Sequence, residues 1–371
     1  MNEVFTVKCK DYDKSLETAV QRIFTNLNWL SSDSLKGKMV LVKPNMLTDR
    51  TPEQAVTTHP EVLRQVIRHL KKRKAQITVG DSPASAANLK TVWQKTGLEQ
   101  VCNEEKTELI SFEQAGTEIT RRNGYEISIA KPALEADLII SLPKVKTHSL
   151  TILTAAVKNI YGVIPGYTKT ALHKKHAELN DFGTLIKTIH DCLPPVWSIA
   201  DGVTGMEGQG PANGKPVHLE FLAVSRNPFA LDIALCKILG IDAYRIPYLS
   251  VDDGLKKNQP EIEGDPIQVK GFEIPTGAHL TSRIPGWLLK PAMGLVWVRP
   301  SFSKENCVKC GLCVKACPVG ALTLNDVLPA PRLDTKKCIT CSCCHEVCPA
   351  DAIEMRQSPL LKMVGAFKDL R

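Results

Sequence analysis

The sequence lacks several features that would assign it a class at once. Its opening, MNEVFTVKCKDYDK, has no basic head followed by a long apolar run, so no secretory signal is expected and the cytoplasm is the expected compartment. The apolar stretch IPGWLLKPAMGLVWV, Ile284 to Val298, is broken by Lys290 and Pro291 and is too short to span a bilayer; it reads as a stretch packed between domains, and no transmembrane segment is expected. Nucleic-acid signatures are missing too. The net charge of +8 invites that search, but the basic run LKKRK, Leu70 to Lys74, closes an amphipathic helical pattern, where cations suit the helix dipole and the solvent. No aromatic-basic interleaving accompanies it, so no nucleic-acid partner is expected. In IADGVTGMEGQGP the glycines at 202, 205, 208 and 210 fail to make a dinucleotide fingerprint, since Pro211 follows and no helix opens there.

What is present first is alternation. KMVLVKPN (38–45), ITVGD (77–81), ADLIISLP (136–143) and PVWSIAD (195–201) are apolar, β-branched runs of the kind buried on both faces of a sheet. Between them lie helical patterns at 59–73, 86–96, 151–162 and 228–240. The expectation is an α/β fold, a mostly parallel sheet with helices on both faces, occupying residues 1–300 with its core at 38–240. Residues 241–300 are less periodic and read as a lobe edge and linker. A small C-terminal α+β ferredoxin-like iron–sulfur domain is expected at 301–358, with a tail at 359–371.

Thirteen cysteines with no export signal argue for metal rather than disulfides. CVKCGLCVKACP from Cys307 and CITCSCCHEVCP from Cys338 both follow C-x2-C-x2-C-x3-C-P, in which three thiolates bind one iron–sulfur cube and the fourth reaches the other. One 4Fe-4S cluster is then held by Cys307, Cys310, Cys313 and Cys348, and a second by Cys338, Cys341, Cys344 and Cys317. Four thiolates can also hold zinc, but zinc takes two separated C-x2-C pairs rather than this doubled run with its trailing proline. Two such clusters carry about −2 each, which removes about half of the apparent positive surplus. Cys343 breaks the x2 spacing and reads as a spare packed thiol, and Cys9, Cys102, Cys192 and Cys236 as core residues.

The basic stretch SLPKVKTHSLTILTAAVKNIYGVIPG, 141–166, carries the remaining chemistry. If the strand ADLIISLP runs on through PKVKTH, then Lys144, Lys146 and His148 project to one side at its carboxyl end, where open α/β sheets bind ligands. The next segment reads as a helix with Ser149 as N-cap, aiming backbone N–H groups at the same place. Lys158 and Asn159 lie on that helix. Among Ile152, Leu153, Ala155, Ala156, Val157 and Ile160, Lys158 either snorkels outward or stands beside a fixed anion, and if buried it can act as acid or base. Other strand ends add Lys43 and Asn45, Asp81 and Ser82, and Asp201, Glu207 and Gly208, with Lys169 and His173 from the following loop. Each alone could be a turn or cap residue. Together at one sheet edge they predict an anion site, with Lys158, His148 and His173 as proton-handling candidates.

These motifs carry a resemblance. VKPN, GDSP, LPKVKTHSLTILTAAVKNIYG, DGVTGMEGQGP and the NPFALD helix start resemble the microbial family known as domain of unknown function 362, over roughly 38–240, and the CSCCHEVCP tail is similar to that of its ferredoxin-fused members. The resemblance implies this architecture and iron–sulfur binding, but no substrate. ADLIISLPKVKTH with VIPG is also loosely similar to nickel-dependent lactate racemases, which supports a ligand pocket at this edge. The functional expectation is an oxidoreductase passing electrons from two 4Fe-4S clusters to an anionic substrate or cofactor, supplied by a reductase, ferredoxin or flavodoxin. The alternatives are a non-catalytic electron carrier with a docking domain, or an isomerase or ligand-binding module with structural clusters.

Overall fold

The structure of the chain, a computed structural model, describes residues 2–84, 86–275 and 297–359; most of the apolar stretch at 284–298 and residues 360–371 of the expected tail lie outside them. Among the described residues up to 264 there are twelve strands: β1 (Glu3–Lys8), β2 (Met39–Pro44), β3 (Gln76–Asp81), β4 (Glu108–Ser111), β5 (Thr117–Arg122), β6 (Tyr125–Ala130), β7 (Leu138–Leu142), β8 (Lys144–His148), β9 (Ile152–Thr154), β10 (Val196–Glu207), β11 (Lys215–Ser225) and β12 (Glu261–Gly264). Ten of them form one sheet in the order β12-β1-β11-β10-β7-β2-β3-β4, with β8 branching from β10 and β9 pairing β8. The run β10-β7-β2-β3-β4 is parallel throughout, while β11 pairs antiparallel with both β10 and β1. β5 and β6 form a separate hairpin.

Successive side chains on a strand point to opposite faces, and here both faces are apolar. On one face Val40, Val42 and Ile140 join Leu16, Val20 and Ile23 of helix Lys14–Asn26 and Val62, Val66 and Ile67 of helix Pro60–Lys72. On the other, Leu41 and Ile139 join Leu185 and Ile189 of helix Leu179–Asp191 and Leu231 and Leu235 of helix Pro228–Leu239. The fold is therefore α/β with helices on both faces of a mostly parallel sheet. Local chemistry fixes the helix ends. Pro60 occupies the first turn behind a His59 cap, and Asn227 accepts from Phe229 N–H at 3.0 Å and Ala230 N–H at 3.3 Å before Gly240 closes that helix in a left-handed conformation. Cys9, Cys102 and Cys236 are buried in these cores and Cys192 is half-buried, all as free thiols.

The segment 151–162 departs from its expected helix. β8 turns back at Ser149–Thr151 into β9, with Lys146, Thr147 and His148 opposite Thr154, Leu153 and Ile152. Only Ala156–Asn159 is α-helical, followed by a 3-10 turn at Ile160–Val163. The β-branched Thr151, Ile152 and Thr154 favour the hairpin. Ser149 is no helix cap; its hydroxyl donates to Gly210 O at 2.8 Å. The backbone N–H groups of Ala156 and Val157 are instead held by the buried Asp232 carboxylate at 2.7 and 3.0 Å, so they are not free for a ligand.

The C-terminal unit pairs β13 (Val298–Phe302) with β16 (Ile353–Gln357), and β14 (Leu322–Thr323) with β15 (Arg332–Leu333), around two short helices, Leu312–Ala316 and Cys343–Glu346. It repeats itself at the step from Cys307 to Cys338. Lys309 and Thr340, Gly311 and Ser342, and Gly320 and Asp351 are matched left-handed positions in the two halves. The unit docks on the sheet edge through Arg50, whose guanidinium donates to Cys348 O at 2.8 Å and pairs with Asp351 at 2.7 Å.

Candidate functional site

β2 and β3 deliver Lys43 and Asp81 to the sheet edge as a buried ion pair of 2.7 Å. Lys43 also donates to Asn159 O at 2.6 Å, and burial lowers its pKa while Asp81 counters the fall. Asn45 donates to Asn159 Oδ1 at 3.0 Å, and Asn159 donates to Ser141 Oγ at 2.9 Å. Gly162 closes over the pair, where a Cβ would meet Asp81 Oδ1 at 2.1 Å and Lys43 Nζ at 2.6 Å.

Three more lysines converge from other elements. Lys146, on β8, donates to Val56 O at 2.5 Å and Asn45 Oδ1 at 3.2 Å; burial, deepened by Lys158 and Lys144 and opposed by Glu346, pushes its pKa down to about 7. Lys169, on helix Tyr167–Lys175, is spent on Ser82 O at 2.6 Å, Ser82 Oγ at 2.8 Å and Pro83 O, and burial lowers it to about 8 against the pull of Asp81 and Glu113. Lys158 differs. It is 9% exposed, so it does not snorkel. Its ammonium lies 5.6 Å from the Tyr161 ring and 6.0 Å from the Phe182 ring, with neither a hydrogen-bond partner nor an ion pair among the described residues. Burial lowers its pKa, opposed by Glu346 and Cys343.

Both histidines are buried. His148 Nδ1 accepts from Leu150 N–H at 3.0 Å, which leaves the proton on Nε2, 3.1 Å from Glu346 Oε1. Burial and Lys158 push His148 down to about 4 and His173 to about 3, so both are neutral at neutral pH. His173 stacks on Phe182 with ring centroids 4.5 Å apart. Burial alone would raise the Glu346 carboxyl, but the His148 contact and the Lys158 charge hold it at about 2.

These groups line a cavity of about 90 Å³. Asn45, Asp81, Ser82, Lys146, His148, Lys158, Asn159, Lys169 and His173 face it from the α/β domain, and Ala316, Cys343, Glu346 and Val347 from the C-terminal unit. Five expected residues do not line it. Lys43 sits behind it, paired to the lining residue Asp81. Lys144 is fully buried against Asp201 at 2.5 Å and Tyr12 Oη at 3.0 Å, because β8 slips its register on β10 between Asp201 and Met206 and the two lysines diverge to different partners. Glu207 and Gly208 bind the Glu273 backbone instead. The sequence reading did not find Glu346, nor Thr154, whose buried Oγ1 has no hydrogen-bond partner. It placed Cys343 as a packed thiol near a cluster, whereas that thiol lines this cavity.

Two further cavities lie in the C-terminal unit. One is lined by Cys307, Cys310, Cys313 and Cys348, the other by Cys317, Cys338, Cys341 and Cys344. The sulfurs of Cys317 and Cys348 accept backbone N–H bonds from Ala321 at 3.2 Å and Ala352 at 3.3 Å, the kind of bond that tunes cluster thiolates. Among the described residues no three His, Cys, Asp or Glu side chains converge tightly enough for a single metal ion. Eight thiols in two fours around cavities fit a pair of cubane clusters.

Comparison with known proteins agrees with this division. Residues 306–357 match the 4Fe-4S dicluster domain, and residues 40–237, more than half of the chain, match the domain of unknown function DUF362. The chain belongs to the DUF362 family. It is 29% identical over 266 residues to a thylakoid-associated protein of Synechocystis sp., covering 71% of this chain and 82% of that one. Among solved structures it is similar to a lactate racemase apoprotein from Thermoanaerobacterium thermosaccharolyticum (TM-score 0.41, 15% identity, 64% of this chain) and to a structural-genomics protein from Thermotoga maritima (TM-score 0.40, 11% identity, 62% of this chain). It spans 57% and 58% of those two chains, less than two thirds of either. In this DUF362 chain the dicluster domain brings iron–sulfur electron-transfer chemistry to the edge of the α/β sheet. No helix among the described residues is long and apolar enough to cross a membrane.

Proposed function

We propose that the chain is an iron–sulfur oxidoreductase whose substrate is a small anion held in the cavity between the α/β domain and the dicluster domain. What supports this reading is the placement of Cys341–Cys344: Cys341 and Cys344 line one four-thiol cavity, and Cys343 between them lines the lysine-rich cavity. Bound by the eight thiolates, two 4Fe-4S clusters would supply electrons singly and at low potential. The residues of the chain do the rest. Lys158 holds the anion with its uncommitted ammonium. Lys146, with a pKa of about 7, gives or takes a proton at neutral pH, and His148 presents an Nε2–H to the cavity. Burial of these groups excludes bulk water and strengthens every charge interaction inside. A reductase, ferredoxin or flavodoxin of the cytoplasm would feed such a protein.

The test is anaerobic. Cluster-loaded protein reduced with dithionite is mixed with a broad panel of small carboxylates and oxyanions, and reoxidation is followed in the visible spectrum while binding is followed by calorimetry. Reoxidation by a bound anion supports the proposal. Binding without reoxidation overturns it in favour of a ligand-binding or isomerase module, and the absence of both in favour of a carrier with a docking domain.

A further inference from the structure

Resting on that reading, we infer that Glu346, carried by the dicluster domain, biases the cavity against ligands of higher negative charge. The two halves of that domain correspond at a constant step, so the position of Glu346 in the second half is that of Lys315 in the first, and Cys343 stands where the first half has Leu312. Lys315 is exposed, whereas Glu346 lines the cavity 3.1 Å from His148 Nε2. The repeat is thus broken, with reversal of charge, at a position that faces the α/β domain.

The other charged groups around the cavity say what that carboxylate does. Asp81 is neutralised by Lys43 at 2.7 Å. Lys146 spends its donors on Val56 O and Asn45 Oδ1, and Lys169 on Ser82 and Pro83, all neutral acceptors that leave the lysine charges in place. Lys158 adds donors without an acceptor, with the unpartnered Thr154 hydroxyl on the same wall. Glu346 is the carboxylate that a ligand meets without a lysine paired to it. In a buried site of low effective dielectric, each added negative charge on the ligand meets repulsion from Glu346 that water does not screen. A cavity of about 90 Å³ has room for an anion of the size of acetate or sulfate.

Acetate and sulfate, similar in size and different in charge, are the probes. Each is titrated calorimetrically into cluster-loaded wild type, Glu346→Gln and Glu346→Asp, with iron content and the visible cluster spectrum checked for each protein. Gln keeps an oxygen for the His148 Nε2–H and removes the charge, while Asp keeps the charge. Relative to wild type, E346Q is expected to shift the sulfate-to-acetate affinity ratio toward sulfate by about tenfold or more, and E346D to leave it close to the wild-type value. An unchanged ratio in E346Q with its clusters intact overturns the inference and leaves the anion cavity standing. The inference also falls if E346D shifts the ratio as E346Q does, because shape rather than charge is then at work. If wild type binds neither probe nor any other small anion, it is the anion-cavity reading that fails.

Discussion

Replacing Lys158 by methionine should make the protein more stable and less able to bind anions. The side chain is 9% exposed, its ammonium has three donors, and none of them meets an acceptor among the described residues. Burying such a charge costs several kcal/mol. The offsets are the Tyr161 and Phe182 rings at 5.6 and 6.0 Å, worth about 1 kcal/mol each, and a Glu346 carboxylate too far away to form an ion pair. Methionine fills a similar volume without the charge, so Lys158→Met should gain about 1–3 kcal/mol in chemical denaturation. The gain should also depend on pH in a defined direction. Because the folded pKa lies below the ordinary 10.5, the unfolded chain binds more protons over the window between them, and wild-type stability rises with pH across it. The advantage of the variant is therefore largest below the lowered value and fades as pH approaches 10.5. Loss of one charge-assisted hydrogen bond should weaken acetate binding about 10- to 100-fold in the same preparation. A variant that is less stable than wild type, or that binds acetate unchanged, refutes the assignment of Lys158 as an uncommitted cation.

Three further outcomes follow from the same geometry. Gly162→Ala forces a methyl group into the Lys43–Asp81 pair and should cost about 3 kcal/mol or more, read as lost soluble yield or a lowered denaturation midpoint. Anion affinity should fall as pH rises from 6 to 9, because Lys146 and Lys169, lowered to about 7 and about 8, shed their protons over that range; calorimetry across it should show monotonic weakening. Cys343→Ser should leave the iron content of anaerobically reconstituted protein unchanged, whereas Cys341→Ser should lower it by about half.

The strands at 38–45, 77–81, 136–143 and 195–201 and both cysteine motifs were legible in the sequence because their signals are local: apolar continuity and fixed ligand spacing. The helix expected at 151–162 failed because alanines and spaced apolar residues mimic a helical face, while β-branched threonines and a carboxylate from Asp232, far along the chain, decide otherwise. Lys146, Lys158, His148 and His173 were placed at a common site, yet Lys144 was claimed for it although Asp201 takes up its charge. Glu346 could not be found from any single motif, since it reaches the site only when the two domains dock. The signal that could have exposed it is the mismatch between the halves of the cysteine domain, Lys315 against Glu346 and Leu312 against Cys343.

The cavity has one wall from each domain, and this ties docking to binding as a thermodynamic cycle. An anion that gains contacts from both walls holds the domains together by the same factor by which their docking raises its affinity. Any partner protein that pulls at the Arg50–Asp351 contact therefore acts as an antagonist of the small molecule, without touching the cavity.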